Sequence, residues 1–595
     1  MSARLGGTKL CALRTKRLLA ALLVAFAALS PFFGLGARDL WNPDEADHAT
    51  AARELLVEQR WIVPTIAGET YAEKPPLQAW IIVLSAKVRG TDVDSFDARL
   101  PSAIGGALLV LATLAIGRRA GGPAFGLVAA LVTASTAEVF LRARWCQVDG
   151  LFAGLFAWSA VAAFELAHRP RATVALALGA ALGAAILTKG PLAGALLVTT
   201  VLAGFALVPS CRRAWLGRAG GWLLAGLCLA VALALPWYVA LAAEDPGGLW
   251  RALIHENLKR FAGSQDHARP VHYYLSGALW GSLAPYAALL PPALAYAWRT
   301  TGTEGAKPLH TRDAELVRWC WGAFLAGLLL LSAASAKQGK YLLPLIPFFA
   351  VGLTDFARGV GEFGKAWERH WTTAVLSAVA LAAVIVALLA TAASFFGPRA
   401  DEALASLASG FVEMPARALP VGAVLPALLA LGVAGFAVLA VGIHTRASFR
   451  LGWLAVGLCV AQAFVAAKLF PAVNGTKSAR PVVERAMARL SELEQAGAAP
   501  RYAVWHVDLR SDKDVESWTD SAPFVYFATG RWRAPLVLHG SQALRKALSD
   551  GGGPLVLVLR ATHFDRMPPE LRSRFARRFQ ASVGSRTLVV VESGT

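Results

Sequence analysis

Charge is scarce in this chain. Only 16% of its 595 residues are Asp, Glu, Lys or Arg, while 56% are hydrophobic and the mean hydropathy is +0.50. So few charges cannot cover the apolar surface of a soluble protein of this length, which excludes an ordinary water-surrounded globule and makes a bilayer the solvent for most of the chain. Cysteine is scarce as well. The six (Cys11, Cys146, Cys211, Cys228, Cys320 and Cys459) form no CxxC pair and mostly lie in or beside apolar runs. This excludes a disulfide framework or a thiolate metal site and leaves small buried hydrophobes as the reading. The tail lacks a glycine-rich phosphate loop; Gly551–Gly553 reads as a turn. The net charge of +19 does not indicate nucleic acid, because the basic residues fall in small clusters between apolar runs, as orientation signals do.

What the chain has in abundance is long apolar runs. A spanning helix needs about 20 mostly apolar residues. About 13 candidates meet that rule, at 18–37, 99–117, 121–141, 150–167, 172–188, 190–209, 220–242, 273–297, 316–334, 341–357, 371–396, 419–443 and 451–470. With the basic N-terminus (Arg4, Lys9, Arg14, Lys16, Arg17) in the cytosol, every short loop assigned inside is basic, from Arg118 and Arg119 through Arg212 and Arg213 to Arg446 and Arg450. The loops at 38–98, 142–149, 243–272, 335–340 and 397–418, and everything after about 471, then face outward. The expected fold class is a mainly α, polytopic membrane protein with a small soluble α/β domain at its C-terminus. Residues 1–480 would form the membrane domain and 481–595 the α/β domain. In the latter a helical spacing at 481–496 is followed by strand-like runs at 502–507, 535–539, 554–560 and 587–592, with helical segments at 541–549 and 568–579.

The outward loops carry polar residues that spanning alone does not require. In 38–80, Asp44 and Glu45 follow Pro43 as acids do in a first helical turn. Ala49, Ala52, Leu55 and Leu56 then make an apolar stripe suited to the membrane surface. Pro75 and Pro76 fix an extended turn that sets Glu73 and Lys74 at the edge of the next helix. Arg142, Arg144 and Asp149 mark another helix junction, where a carboxylate is costly unless paired. Lys189, the stretch His255–Phe261 with Arg260, and Lys337, Lys340 and Tyr341 complete the set. Each has a bland reading: a helix cap for Asp44 and Glu45, a snorkelling lysine for Lys74, a structural Arg–Asp pair for Asp149. Yet basic residues on outward loops run against the positive-inside bias, and all six elements fall on one side. An anionic ligand held at that surface accounts for both facts.

The run WNPDE…WIVPTIAGETYAEKPPLQAW, with VDGLF at 148–152, LTKGP at 187–191, LPWYVAL at 235–241, ENLKRF at 256–261 and GKYLLPLIP at 339–347, resembles the GT-C membrane glycosyltransferases. The resemblance is to the branch of the 4-amino-4-deoxy-L-arabinose lipid A transferases, with the protein O-mannosyltransferases more distant. It implies Asp44 as catalytic base and Asp149 as a second acidic site residue, with Glu45 beside them. It implies that Lys74, Arg260 and Tyr341 contact a carrier phosphate, joined by Lys340 and Lys189, and that Glu73 can touch a divalent metal ion. The implied donor is a polyisoprenyl (undecaprenyl) phosphate sugar. The implied acceptor is lipid A, a protein or a surface glycan outside the inner membrane. The sequence departs from the branch at Asp47-His48 and at Asn257, which leaves the sugar, the acceptor and the metal open. A flippase of lipid-linked sugars is the rival of another class; such transporters place their charges near the bilayer midplane.

Overall fold

The computed structural model describes residue 15 and residues 18–594, apart from 42–43, 67–68, 264–266, 302–312, 397–420, 441–445, 473, 507–535 and 584–585. The outward loop expected at 397–418 lies outside the described residues, as do the side chains of Asp44 and Arg260.

Each of the thirteen apolar segments has a helical counterpart. Among the described residues, eight helices are long and apolar enough to cross a bilayer alone: Ser95–Gly121, Val148–His168, Ala172–Lys189, Arg218–Glu244, Ala314–Ala333, Gly339–Phe363, Ala366–Leu389 and Ala447–Leu469. Two further pairs are sharply bent, Leu192–Leu207 with Pro209–Leu216 by 112° and Tyr274–Ser282 with Ala287–Thr300 by 119°. Leu18–Phe32, Pro123–Ser135 and Leu428–Leu439 are shorter apolar helices. The protein is a multi-pass membrane protein. Its helices sort by their surroundings: Gly339–Phe363 is 94% buried and runs through the bundle, whereas Arg218–Glu244 is 22% buried and presents leucines and valines outward, as a lipid-facing helix does.

The bundle closes through small residues. Gly105 of Ser95–Gly121 lies against the backbone of Gly150 and Leu151, so that a Cβ added there would sit 2.2 Å from the Gly150 carbonyl oxygen. Gly154 meets the Gly105 carbonyl in the same way. Without a hydrophobic drive between helices in lipid, such close backbone approach supplies the packing. It also brings the first turn of Val148–His168 against the helix that follows loop 38–98.

That loop is itself folded. Helix Asp44–Glu58, a hairpin of β1 (Thr65–Ile66) and β2 (Glu69–Thr70), and helix Leu77–Arg89 fill it. The stripe expected to face the membrane faces protein instead. Ala49, Ala52 and Leu55 pack on Ile82, Val83 and Ala86 of Leu77–Arg89, an apolar helix whose 13 residues are too short to span. Ser95–Gly121 then starts with a capping box, the Asp94 carboxylate accepting from the Phe96 and Asp97 amides at 2.8 and 3.0 Å.

At the C-terminus, helix Arg480–Gln495 precedes a five-stranded sheet of β3 (Arg501–His506), β4 (Leu536–His539), β5 (Leu555–Arg560), β6 (Phe575–Val583) and β7 (Arg586–Ser593), in the order β4-β3-β5-β7-β6. β3 is parallel to β4 and β5; β7 is antiparallel to β5 and β6. β5 is buried on both faces: Val556 and Val558 meet Val482, Ala486 and Leu490 of the helix, while Leu557 and Leu559 meet Leu544, Phe564 and Leu571. The helix expected at 568–579 is corrected to one turn, Pro569–Arg572, followed by β6. Phe575, Phe579 and Val583 recur every four residues and so imitate a helix face. In fact a bulge between Arg577 and Phe579 switches the strand from one face of the sheet to the other.

Candidate functional site

Asp149 lies in the first turn of Val148–His168 and Lys189 is the last residue of Ala172–Lys189. An acid at a helix start and a base at a helix end each suit the helix dipole, and here the two ends meet. Lys189 Nζ ion-pairs with Asp149 Oδ1, and Lys340 Nζ, from the 3-10 turn that opens Gly339–Phe363, stands 3.7 Å from Asp149 Oδ2. The Asp149 side chain is 5% exposed, a position a carboxylate holds in a membrane protein only with such partners. Its neighbours in sequence are not those partners. Arg142 binds Glu138 at 2.6 Å and Gln147 at 2.9 Å, and buried Arg144 donates to the carbonyls of Phe140 and Ser30.

Lys189 Nζ also sits 4.5 Å from the centroid of the Tyr341 ring and 5.5 Å from that of Phe152. Beside it opens a cavity of about 110 Å³, whose lining includes Glu73, Lys74, Lys189, Gly190 and Tyr341 together with Trp237, Tyr238 and Asn257. Lys74 arrives there because Pro75 and Pro76 end the extended stretch and Leu77 begins a helix. Gly190 has φ +86°, the left-handed conformation that ends one helix and lets Pro191 begin the next. Three ammonium groups (Lys74, Lys189, Lys340) thus gather around two carboxylates (Asp149, Glu73), leaving a surplus of positive charge at an open cavity.

Of the residues expected to act together, Glu73, Lys74, Lys189 and Tyr341 line this cavity, and Asp149 and Lys340 stand directly behind Lys189. Arg260 immediately precedes Phe261, a lining residue, and Asp44 is the first residue of its helix. Lys337 is turned away, its Nζ donating to the Arg269 and Ala334 carbonyls. Among the described residues Glu73 does not come with a metal-ligand set. It is exposed, its carboxylate is 3.9 Å from Lys74 Nζ, and among the described residues no three His, Cys, Asp or Glu side chains gather.

Glu45 departs from the catalytic role given to it. It is fully buried, and both oxygens are saturated. Oε1 accepts from Arg99 Nε at 2.8 Å and the Cys146 amide at 2.9 Å; Oε2 accepts from Arg38 Nη1 at 2.7 Å, Arg99 Nη2 at 3.0 Å and the Trp41 amide at 2.9 Å. No lone pair remains for a proton from a substrate. Glu45 is a clasp that fixes the backbone next to Asp44. Arg38 in turn lies 4.2 and 4.4 Å from the rings of Trp41 and Trp145. The clasp also reaches the C-terminal part: Asn474 Oδ1 accepts from the Asp39 amide and the Trp41 indole, both at 3.1 Å, Arg480 pairs with Asp39 at 3.0 Å, and Ala46 is buried in the same cluster as Val482 and Tyr502.

The sequence reading missed Arg38 and Arg99, and it quoted Trp237 and Tyr238 within LPWYVAL without giving them a role. The signal for the first two was present, since arginines flanking a span on the outward side need a buried acid. That for the other two was a tryptophan–tyrosine pair after Pro236 inside an apolar helix.

The family model for dolichyl-phosphate-mannose-protein mannosyltransferase matches residues 73–238, a stretch running from Glu73 to Tyr238. The undecaprenyl phosphate-α-4-amino-4-deoxy-L-arabinose arabinosyl transferase of Edwardsiella ictaluri is 32% identical over 365 residues, covering 60% of this chain and 62% of that protein. A protein of the same description from Pseudomonas fluorescens is 34% identical over 332 residues, covering 55% and 57%. The aligned stretch therefore spans about three fifths of these relatives. Among solved structures, ArnT from Cupriavidus metallidurans in the apo state superposes with a TM-score of 0.67 at 19% identity, over 98% of this chain and all of that one. The chain has the ArnT fold. The same protein bound to undecaprenyl phosphate gives a TM-score of 0.65 at 18% identity, over 96% and 97%. The likeness in fold thus takes in the C-terminal sheet as well as the helical bundle. The GT-C architecture expected from the separated motifs is the one observed.

Proposed function

We propose that this protein is a glycosyltransferase that moves a sugar from a polyisoprenyl phosphate to an acceptor hydroxyl on the non-cytoplasmic side of the inner membrane. The observation that carries the reading is the gathering of Lys74, Lys189 and Tyr341 at one open cavity, with Lys340 and Asp149 behind them. That arrangement suits a phosphate at the surface of a hydrophobic bundle, and the sequence relatives are named for undecaprenyl phosphate donors. In this reading residues 1–480 are the membrane transferase domain, loop 38–98 faces the periplasm, and residues 481–595 are a periplasmic α/β domain that braces the loop.

The chemistry is a single displacement. The acceptor oxygen attacks the anomeric carbon while the bond from that carbon to the phosphate oxygen breaks, and the configuration inverts. Asp44 takes the acceptor proton. Lys74, Lys189 and Arg260, with the Tyr341 hydroxyl, stabilise the phosphate as its charge grows. Asp149 holds Lys189 and Lys340 in place. Glu73 orients Lys74, and no step passes through a metal. The acceptor in this reading is lipid A, as the resemblance to the arabinose lipid A transferases implies, with a protein or a surface glycan as the alternatives.

The test is transfer of labelled sugar from undecaprenyl phosphate by the purified protein. Asp44→Asn should lower the rate by about 10²-fold or more, and Lys74→Ala should raise the donor KM. Wild-type rates in both variants reject the site. Lipid A mass spectra of cells with and without the gene test the acceptor, and accessibility of a cysteine placed in 59–62 to a membrane-impermeant reagent tests the orientation.

A further inference from the structure

The cavity that holds Lys74 and Lys189 is also lined by three uncharged polar side chains, Trp237, Tyr238 and Asn257. Trp237 is 2% exposed, and its indole N–H has no hydrogen-bond partner among the described residues. Other buried indoles are paired, Trp158 donating to the Leu108 carbonyl at 3.0 Å, Trp319 to that of Thr200 at 3.1 Å and Trp505 to that of Gly540 at 2.9 Å, while Trp215, which does not line this cavity, shares the unpaired state. A buried donor without an acceptor is costly, and a cavity wall is where a ligand can supply the acceptor. Asn257 offers the opposite polarity. One N–H of its Nδ2 goes to the Ala252 carbonyl at 2.6 Å, and its Oδ1 is an acceptor. The carboxamide lies close to Gly190, where a Cβ would stand 3.5 Å from Oδ1 and 3.6 Å from both Nδ2 and the Tyr238 hydroxyl.

A donor and an acceptor on one cavity fit a group that both accepts and donates. The phosphodiester of a sugar-bearing carrier has no proton to donate at neutral pH, and its oxygens are repelled by a carboxamide oxygen; a lipid tail satisfies neither group. A sugar hydroxyl satisfies both. Resting on the transferase reading above, we infer that Trp237 and Asn257 form the subsite for the donor's sugar ring. The indole N–H donates to a hydroxyl oxygen, Asn257 Oδ1 accepts a hydroxyl proton, and Tyr238 flanks the pair. The lysines hold the phosphate and this uncharged wall selects the sugar.

The experiment is equilibrium binding of radiolabelled lipids to the full-length protein in detergent, without acceptor. The probes are undecaprenyl phosphate and the same lipid carrying 4-amino-4-deoxy-L-arabinose or mannose. Trp237→Phe removes the N–H and keeps an aromatic ring. It should weaken binding of the preferred sugar-bearing lipid by about tenfold, the worth of one good hydrogen bond, and leave undecaprenyl phosphate unchanged. Asn257→Ala should do the same and serves as the second variant should Trp237→Phe fail to fold. Equal weakening of both lipids, unchanged binding of the sugar-bearing one, or a wild type with no preference for any sugar-bearing lipid overturns the subsite alone. A wild type that binds neither kind of lipid overturns the transferase reading and the subsite with it.

Discussion

Arg99, near the start of the span Ser95–Gly121, holds Glu45 of loop 38–98 through two hydrogen bonds, Nε to Oε1 at 2.8 Å and Nη2 to Oε2 at 3.0 Å. The remaining donors of Arg99 go to the backbone carbonyls of Leu35, Arg38 and Asp39 at 2.6 to 2.9 Å. One side chain thus ties the chain entering the loop, the turn before Asp44 and the helix that leaves the loop. Removing the acid leaves Arg38 and Arg99 buried without a counter-charge, a change that costs about 3–5 kcal/mol in comparable buried pairs. Glu45→Gln is therefore expected to lower the thermal midpoint in detergent markedly and to abolish transfer together with it. A melting curve that overlays the wild type would show that the clasp does not hold the loop.

The same carboxylate makes stability depend on acid. Burial by itself raises the Glu45 carboxyl; the charges of Arg38 and Arg99 and their hydrogen bonds outweigh it and bring the group down to about 2, from 4.5. A folded-state value below the unfolded one means that the contribution is complete above about pH 4.5 and is lost as the pH falls from there toward 2, by on the order of 1.4 kcal/mol per unit of difference between the two states. The gap in melting temperature between wild type and Glu45→Gln should therefore close as the pH is lowered below 4.5. A gap that stays constant to pH 3 would mean the pair contributes no linked proton.

These two residues also mark what the sequence could and could not disclose. The placement of Glu45 in a first helical turn was legible, because Pro43 and two successive acids signal a helix start. Its saturation was not, because Arg38, Arg99 and the Cys146 amide reach it from separate elements. The gathering of Lys189 and Lys340 was legible as an excess of basic residues on outward loops. That both turn on Asp149 rather than leaving it to Arg142 and Arg144 depended on how three helix ends pack. Apolar runs announced every helix of the bundle. They misled at 575–583, where residues spaced by four lie on a bulged strand, and they were silent on Trp237, since a tryptophan in an apolar helix reads as packing until its N–H is seen to lack a partner.

Asp149→Asn tests whether the lysine cluster is built for an anion. The substitution leaves Lys189, whose side chain is 13% exposed, and Lys340 facing an uncharged amide, so the unliganded protein should be destabilised. A bound phosphate restores the missing charge. Undecaprenyl phosphate should then bind Asp149→Asn more tightly and, at equal lipid concentration, raise its melting temperature by more than that of the wild type, because a ligand stabilises by RT ln(1 + [L]/Kd). If the lipid protects the variant no better than the wild type, the two lysines serve only the ion pair with Asp149.

Ala46 tests the link between the loop and the C-terminal sheet. It is fully buried between Glu45 and Asp47, in one cluster with Val482, Ala486, Tyr502 and Val590, and so it joins the helix that starts at Asp44 to the core of residues 480–593. Ala46→Leu adds volume to a filled site, which typically costs about 1–3 kcal/mol. The nearby Arg480–Asp39 pair is half exposed on the arginine side, and Arg480→Ala should cost under about 1 kcal/mol. Because the strain falls one residue pair away from Asp44 and not on the cavity, Ala46→Leu should lower the transfer rate while leaving undecaprenyl phosphate affinity within about twofold, as expected when geometry at the base is disturbed and phosphate binding is not. Equal losses of rate and lipid affinity would show instead that the C-terminal part supports the bundle as a whole and not the loop that carries Asp44.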